Sequence, residues 1–133
     1  MHYTCSDIYT FIIRGKRMNY FKHEEFECKC GCGTNIISQK LVDRLNLARH
    51  IAGVPFVINS GCRCENHNAE IGGSKTSSHL LGLAVDIKVN NDADRFLILN
   101  GLIKAGFARI GVAKTFIHAD IDRAKNQNRL WIY

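Results

Sequence analysis

Hydrophobic residues recur at helical spacing in the stretch that follows Ser38. Ser38 itself is a suitable N-cap, while Gly53 and Pro55 are residues that end helices. The pattern therefore predicts an α-helix that begins just after Ser38 and ends near Ile51. Its buried stripe would consist of residues that lie three or four positions apart, namely Leu41, Leu45, Ala48 and Ile51.

Short apolar runs after this helix predict five β-strands and one further helix. The strands cover 55–60, 84–89, 107–112, 115–122 and 129–133. Asp92 is the predicted N-cap of the second helix, which ends before Gly106. The polar stretch 61–79 predicts a long loop with one helical turn, and such loops in compact domains are often functional. This order of elements predicts a single α+β domain with a mostly antiparallel sheet and flanking helices.

Two of the predicted strands alternate between apolar and polar side chains. Successive strand residues point to opposite faces, so each strand would have one face against the core. The core-facing residues are Ile117, Ala119 and Ile121 on one strand, and Val85, Ile87 and Val89 on the other. The opposite faces carry Phe116, His118, Asp120 and Asp122, and Ala84, Asp86 and Lys88. If the strands are neighbours, they could present Asp86 and His118 to one cleft.

The two imidazoles of His79 and His118 and the carboxylate of Asp86 make up a common catalytic zinc set. Three such ligands leave a fourth position for water, which a closed cysteine site does not. They also leave net positive charge on the metal, which acidifies that water and polarises a carbonyl. His79 and Asp86 lie seven positions apart, and His118 follows 32 positions after Asp86. As bare residue types, they are equally compatible with solvated or hydrogen-bonded side chains.

The net charge of +6 indicates an anionic partner, either a nucleic acid or an acidic polymer such as a bacterial wall. The basic residues are scattered without a run of five, so we do not expect nucleic-acid binding. Every apolar run is far shorter than the roughly 20 residues of a membrane-spanning helix, so we do not expect membrane insertion. With 133 residues, the chain is expected to form one domain and to act as a monomer.

The first 17 residues are interpreted as an N-terminal extension, and 18–133 as the domain. The apolar part of the extension, 8–13, is short and follows Asp7. It lacks the basic n-region and the small-residue cleavage site of a secretory signal. We therefore expect cytoplasmic synthesis without a signal peptide. Whether 1–17 is an upstream extension or a misassigned start before Met18 is left open.

Several ordered motifs resemble one family of zinc peptidases. S-x-H-x6-D at 77–86 followed by H-x-D at 118–120 is similar to the D-alanyl-D-alanine carboxypeptidase group, which is related to lysostaphin-type and hedgehog-type domains. SGCRCENHN at 60–68 and EFECKCGCG at 25–33 extend the resemblance, which covers about 21–131. The short phage and prophage members are the most similar. The resemblance implies a hedgehog/D-Ala-D-Ala peptidase-like fold and hydrolysis of D-Ala-D-Ala, L-Ala-D-Glu or cross-link bonds in wall peptides.

The resemblance also assigns roles to individual residues. His79, Asp86 and His118 match the Zn²⁺ ligands. Arg63 matches an arginine that binds the substrate or stabilises the developing oxyanion, for which a permanently charged guanidinium fork is suited. Ser78 matches a position that contacts the substrate. Two positions match residues with structural roles, Asn68 and Gly82, and the glycine would permit a close backbone approach.

The chain departs from the family pattern at Thr115. Several relatives have a catalytic Glu or Asp three residues before the last histidine, and a threonine cannot serve as the base. Asp120, on the predicted strand face of His118, is the substitute candidate. It would be either the general base for the attacking water or a residue that orients an imidazole.

Six cysteines are present: Cys5, Cys28, Cys30, Cys32, Cys62 and Cys64. Without a signal peptide, free thiols or metal ligands are favoured over disulfides. The last five could form a second, structural zinc site, but their C-x-C-x-C and C-x-C spacing is not the common C-x2-C pair. Buried free thiols, with one redox-sensitive pair among them, are the preferred interpretation. The remaining histidines are expected at the surface or in caps, namely His2, His23, His50 and His67, of which His67 lies in the loop of Arg63.

Together these features predict a zinc metallopeptidase that acts on peptidoglycan or muropeptides, as a carboxypeptidase or an endopeptidase of the phage endolysin type. It would act on the bacterial cell wall after phage-type release, which would need a partner such as a holin. The alternative is a catalytically impaired zinc-containing module that binds the wall, which the threonine at position 115 keeps open. A nucleic-acid-binding protein, suggested by charge alone, ranks last.

Overall fold

The structure of the protein is a computed structural model that describes residues 19–133. The predicted extension 1–17 lies outside the described residues, and so does the predicted first residue of the domain. The division at residue 18 therefore stays a prediction.

Residues 19–133 contain three α-helices: α1 at Gln39–Ala52, α2 at Glu65–Glu70 and α3 at Asp92–Lys104. Two 3-10 turns, at His23–Phe26 and Ser78–Leu81, complete the helical content of the described residues. The predicted first helix is confirmed, and it ends at Gly53, whose φ of 71° is in the left-handed region that glycine tolerates. The predicted loop at 61–79 contains α2 and the start of the second 3-10 turn.

The prediction that Asp92 caps the second long helix is wrong by one residue. Asn91 is the N-cap, because its side-chain oxygen accepts a hydrogen bond from the backbone N–H of Asp94 at 2.8 Å. Asp92 is the first helical residue instead, and its carboxylate forms an ion pair with Arg95 one turn later. Both residue types are good N-caps, so local sequence could not separate them.

Five strands form one sheet in the order β1-β2-β4-β3-β5. They are β1 at Ile58–Ser60, β2 at Ala84–Lys88, β3 at Arg109–Val112, β4 at Phe116–Asp120 and β5 at Arg129–Ile132. All pairs are antiparallel except β3 with β5. The predicted α+β class with a mostly antiparallel sheet is confirmed.

One face of the sheet and the two long helices form a single hydrophobic core. Val85 and Ile87 of β2 and Ile117 of β4 are fully buried in it, as their alternation predicted. Most of the predicted stripe of α1 is buried as well, although Ile51 is only half-buried at the edge of the core. The helices approach closely at Gly101, where a Cβ would collide with the backbone of α1. The opposite face of the sheet is left to the polar residues of β2 and β4.

In the part of the chain that the structure describes, no helix has the length and apolar character needed to cross a membrane.

The packing of α3 predicts a contrast between two of its residues. Leu102 is fully buried, so Leu102→Ala should lower the free energy of unfolding by about 2–5 kcal/mol through lost burial and a residual cavity. Phe96 on the same helix is 69% exposed, and Phe96→Ala removes more atoms but should cost no more than about 0.5 kcal/mol. Urea unfolding of both variants measures the difference. Equal losses would contradict the assignment of these two helix faces.

Candidate metal centre and active-site cavity

The pairing of β2 with β4 brings two of the predicted metal ligands together. The antiparallel register sets Asp86 directly opposite His118 on the polar face of the sheet. His79 reaches the same place from the 3-10 turn that precedes β2. That turn ends at Gly82, whose φ is 68° and where a Cβ would collide with the backbone of Ile36. The predicted close backbone approach at Gly82 is confirmed.

The two imidazoles are each held by one ring nitrogen, so that the other faces Asp86. Nδ1 of His79 donates to the carbonyl oxygen of Gly61 at 2.8 Å, and its Nε2 lies 3.4 Å from Oδ1 of Asp86. Nε2 of His118 donates to Oδ2 of Asp120 at 2.7 Å, and its Nδ1 lies 3.0 Å from the same Oδ1 of Asp86. Both rings therefore direct a nitrogen at one carboxylate oxygen.

This arrangement fits a divalent metal ion. One atom from each of His79, Asp86 and His118 lies within 4.8 Å of the other two. Nitrogen and oxygen ligands of tetrahedral zinc lie about 2.0–2.2 Å from the ion and thus about 3.3–3.6 Å from one another, close to the separations found here. Metal-bound histidines commonly donate their second ring nitrogen to a carbonyl or carboxylate, as both do here. The structure brings the predicted ligands together; that they bind a metal stays a prediction.

The ionisable groups of the cluster shift one another's pKa values. Burial alone would raise the pKa of the Asp86 carboxyl, but hydrogen bonds from His118 and His79 outweigh it and hold that pKa below its usual range. Burial opposes the charged form of His118, yet its hydrogen bonds to Asp120 and Asp86 raise its pKa. The pKa of Asp120 is lowered, since the hydrogen bond and charge of His118 overcome burial. Both carboxylates are thus stabilised in the ionised form that accepts hydrogen bonds or binds metal.

Asp120 has both of its oxygens engaged. Oδ2 accepts from His118, while Oδ1 accepts from Nε of Arg109 at 2.8 Å and from the backbone N–H of Asp122 at 3.1 Å. The carboxylate is 1% exposed. Of the two roles that the sequence left open, this geometry favours orienting the His118 ring over serving as the general base.

Arg63 lies beside the ligand cluster, with its guanidinium fixed by neutral partners. Nη1 donates to Oδ1 of Asn68 at 3.0 Å, and Nη2 donates to Oγ of Ser60 at 3.1 Å and lies 3.9 Å from Oδ2 of Asp86. Asn68 is itself tied to the carbonyl oxygen of Ser74, which agrees with its predicted structural role. Nε of Arg63 is buried and has no hydrogen-bond partner among the described residues. A donor in that state is costly unless a ligand accepts from it.

Ser78 has a different environment from the one predicted. Its side chain is buried, and its hydroxyl donates to Oδ2 of Asp122 at 2.7 Å and accepts from Nζ of Lys125 at 2.9 Å. The single hydroxyl donor is therefore already used. This geometry favours a structural role for Ser78 over the predicted contact with substrate.

Aromatic residues from β4, β5 and the segment after β5 form a wall beside the ligands. The ring of Trp131 lies 5.5 Å from that of His118, and the guanidinium of Arg109 lies over the Trp131 indole, 5.1 Å from its centroid. Gly111, opposite His118 on β3, has no side chain and so leaves room for the indole. Phe116 and Tyr133 continue the wall at a centroid distance of 5.0 Å.

These groups line an open cavity of about 420 Å³, which is within the usual range for small-ligand sites. The lining residues that sequence reasoning missed include Arg109, Lys125 and Tyr133. Arg109 shares its strand face with Gly111, but only the structure shows that Gly111 lies opposite His118. Thr115 is exposed and is not part of the cavity lining. Among the lining residues, the carboxylates are those of Asp86 and Asp120.

The cysteines and remaining histidines separate into distinct environments. Cys28, Cys30, Cys32 and Cys64 lie together, away from the histidine ligands, while Cys62 is buried separately beside Asn35. The prediction of buried thiols is wrong for two of them, because Cys30 and Cys32 are exposed.

His23 and His50 are at the surface as expected, and His67 is half-buried outside the ligand cluster. His2 and Cys5 lie outside the described residues.

Comparison with known protein families gives a match over most of the chain. The family model Peptidase M15 covers residues 19–120, which includes every residue of the ligand cluster. No curated protein matches the chain. The matched segment is well over half of the chain, and members of this family are metal-dependent peptidases. The chain belongs to the peptidase M15 family.

Proposed function

We propose that the protein is a zinc metallopeptidase that hydrolyses peptide bonds in peptidoglycan stem peptides or cross-links. The observation that carries the proposal is the convergence of His79, Asp86 and His118 in one open cavity beside the unpaired Nε of Arg63. Within this proposal, the chain is a D-Ala-D-Ala carboxypeptidase or an endopeptidase of the phage endolysin type, and the cell wall is where it acts.

The donor set supports zinc as the metal. Two imidazoles, each neutral once a metal has replaced a ring proton, and one carboxylate suit a tetrahedral ion with one open position. A zinc ion held there would polarise the scissile carbonyl and activate a water molecule as the nucleophile. Gly61 and Asp120 fix the two rings in place, so little reorganisation is needed for the ligands to bind.

Arg63 is suited to bind the oxygen that becomes negative during hydrolysis, or the terminal carboxylate of a stem peptide. Its guanidinium is held rigidly by Asn68 and Ser60, which reduces the entropy lost when substrate binds. Its Nη2 lies 3.9 Å from Oδ2 of Asp86, so the guanidinium is next to the predicted metal ligands. Preformed donors of this kind stabilise developing charge strongly in a site that excludes water.

The charge of the cavity supports an acidic peptide as substrate. Arg63, Arg109 and Lys125 contribute three cationic groups to the lining, against the two carboxylates of Asp86 and Asp120. Lys125 has its side chain 32% exposed, so its ammonium can reach substrate as well as Ser78. Stem peptides carry free carboxylates, and the aromatic wall at Trp131 offers a flat apolar surface for the rest of the peptide.

The reaction is tested with defined muropeptides, ending in D-Ala-D-Ala or cross-linked, incubated with zinc-loaded protein and analysed by mass spectrometry. We expect loss of one D-Ala or a cut within the stem or cross-link. A chelator and His118→Ala should abolish the product. His67→Ala, which changes a histidine outside the cluster, should not.

Asp120 gives a second prediction, which separates its two possible roles. If it orients His118, Asp120→Ala should lower zinc affinity by about 10–100-fold, and excess zinc should restore part of the turnover. Asp120→Asn should be milder, since the amide oxygen can still accept from the ring. Zinc affinity and turnover are measured on the same samples. Full zinc occupancy with turnover lost in both variants would instead make Asp120 the general base.

A third prediction concerns the guanidinium of Arg63. Arg63→Lys keeps the charge but removes the fork of donors, and kcat/KM should fall by about 100–1,000-fold. A fall in kcat would indicate contact with the oxyanion, whereas a rise in KM would indicate capture of a substrate carboxylate. Arg123→Lys, at an exposed position, is the matched control. Unchanged kinetics in Arg63→Lys would exclude both roles.

A catalytically impaired module that binds the wall is the second candidate function. It is favoured by the cavity lining, in which the carboxylates of Asp86 and Asp120 are both held in hydrogen bonds. Thr115, at the position where relatives have an acid, is not part of the lining. The same experiment decides between the two candidates. Muropeptide binding by zinc-loaded protein without any product would support the binding module.

A further inference from the structure

Four cysteines outside the peptidase site form a compact group of sulfur atoms. The Sγ atoms of Cys28, Cys30, Cys32 and Cys64 all lie within 4.8 Å of one another. The Sγ of Cys30 is 3.5 Å from that of Cys28 and 3.7 Å from that of Cys64. Sulfur ligands of tetrahedral zinc lie about 2.3 Å from the ion and thus about 3.8 Å from one another. The observed separations are close to that value and far above the roughly 2.05 Å of a disulfide.

Backbone N–H groups point at three of these sulfur atoms. Cys28 accepts from the N–H of Cys64 at 3.4 Å, and Cys64 accepts from that of His67 at 3.3 Å. Cys32 accepts from the N–H of Thr34 at 3.4 Å. Donors of this kind stabilise negative charge on sulfur, as a thiolate that binds metal requires. Neutral thiols carry no such charge and would gain less from these N–H donors.

The chain around the first three cysteines is shaped as a tight turn. Gly31 and Gly33 have φ values of 82° and 83°, which other residues rarely adopt. The turn is closed by a hydrogen bond from the N–H of Cys28 to the carbonyl oxygen of Thr34 at 2.9 Å. These two glycines turn three closely spaced cysteines toward a common point. Regular secondary structure is absent from the segment 27–38, so a metal would replace the packing that it lacks.

We propose that Cys28, Cys30, Cys32 and Cys64 bind a structural zinc ion, separate from the metal of the peptidase site. Four thiolates saturate a tetrahedral ion and leave no position for water, so this site would have no catalytic role. Its effect is to fix the turn at 28–34 to the start of α2. Cys64 is the N-cap of α2 and follows Arg63 directly, so the ion also anchors the loop that carries that arginine.

The number of zinc ions per chain tests the proposal. Protein produced with zinc should contain two ions per chain by elemental mass spectrometry, and Cys32→Ser and Cys64→Ser should each contain one. Cys62→Ser, which changes a cysteine outside the group, should retain two. His118→Ala should also contain one, and the double variant with Cys32→Ser should contain none. Two ions in wild type and in both cysteine variants would overturn the proposal.

The same series separates failure of this proposal from failure of the proposed function. A single ion that is lost in His118→Ala and kept in Cys32→Ser would overturn the sulfur site alone. A single ion with the opposite behaviour would support the sulfur site and count against the metal of the peptidase site.

Cobalt substitution gives a readout in the wild-type protein itself, which does not require any variant to fold. Thiolate ligands give cobalt(II) an intense charge-transfer absorption in the near ultraviolet, whereas histidine and aspartate ligands do not. We expect this band in wild type and in His118→Ala, and its loss in Cys32→Ser. Cobalt-loaded protein without the band would overturn the proposal, as would a visible iron–sulfur spectrum in protein as purified.

Discussion

The antiparallel register between β2 and β4 is the constraint on which the site depends. It sets Asp86 against His118 on one face while Val85 and Ile87 stay buried in the core on the other. A shift of one residue in this register would move the polar side chains of a strand into the core and its apolar side chains into water. The hydrophobic core therefore fixes the distance between two predicted metal ligands that belong to different strands. The same strand register therefore determines both the burial of the core residues and the geometry of the site.

The buried charges of the cluster neutralise one another along a chain of contacts between neighbouring side chains. His118 lies between the carboxylates of Asp86 and Asp120, and Arg109 offsets the charge of Asp120. Arg109 in turn stacks on Trp131, which packs on His118. Each ion has a partner of opposite charge, which is the condition under which buried ionic groups are tolerated. Removing one partner would leave a desolvated charge, so these residues are expected to act as a unit.

Sequence patterns could predict the parts that depend on local periodicity. The helix after Ser38, the alternation on β2 and β4, and the shared face of Asp86 and His118 all follow from spacing. The role of Asp120 could not be derived in this way, because it depends on which ring nitrogen its carboxylate contacts. The sequence raised a cysteine site but favoured free thiols, and it could not show that Cys64, 32 or more positions away, joins the earlier cysteines while Cys62 does not. C-x-C spacing gives no hint of a contact that only the folded loop creates.

The loop from 61 to 79 links the cavity with the sulfur group. It is held by polar contacts more than by apolar burial. The backbone N–H of Arg63 donates to the carbonyl oxygen of His79 at 3.1 Å, so the two ends of the loop meet beside the ligand cluster. At its first end, the backbone N–H of Cys62 donates to the carbonyl oxygen of Phe26 at 2.8 Å, and Cys64 lies in the sulfur group. A loop with few apolar contacts is expected to open at low energetic cost unless other links restrain it. Sulfur–metal bonds at Cys64 would supply that restraint next to Arg63, the residue that we propose binds the substrate.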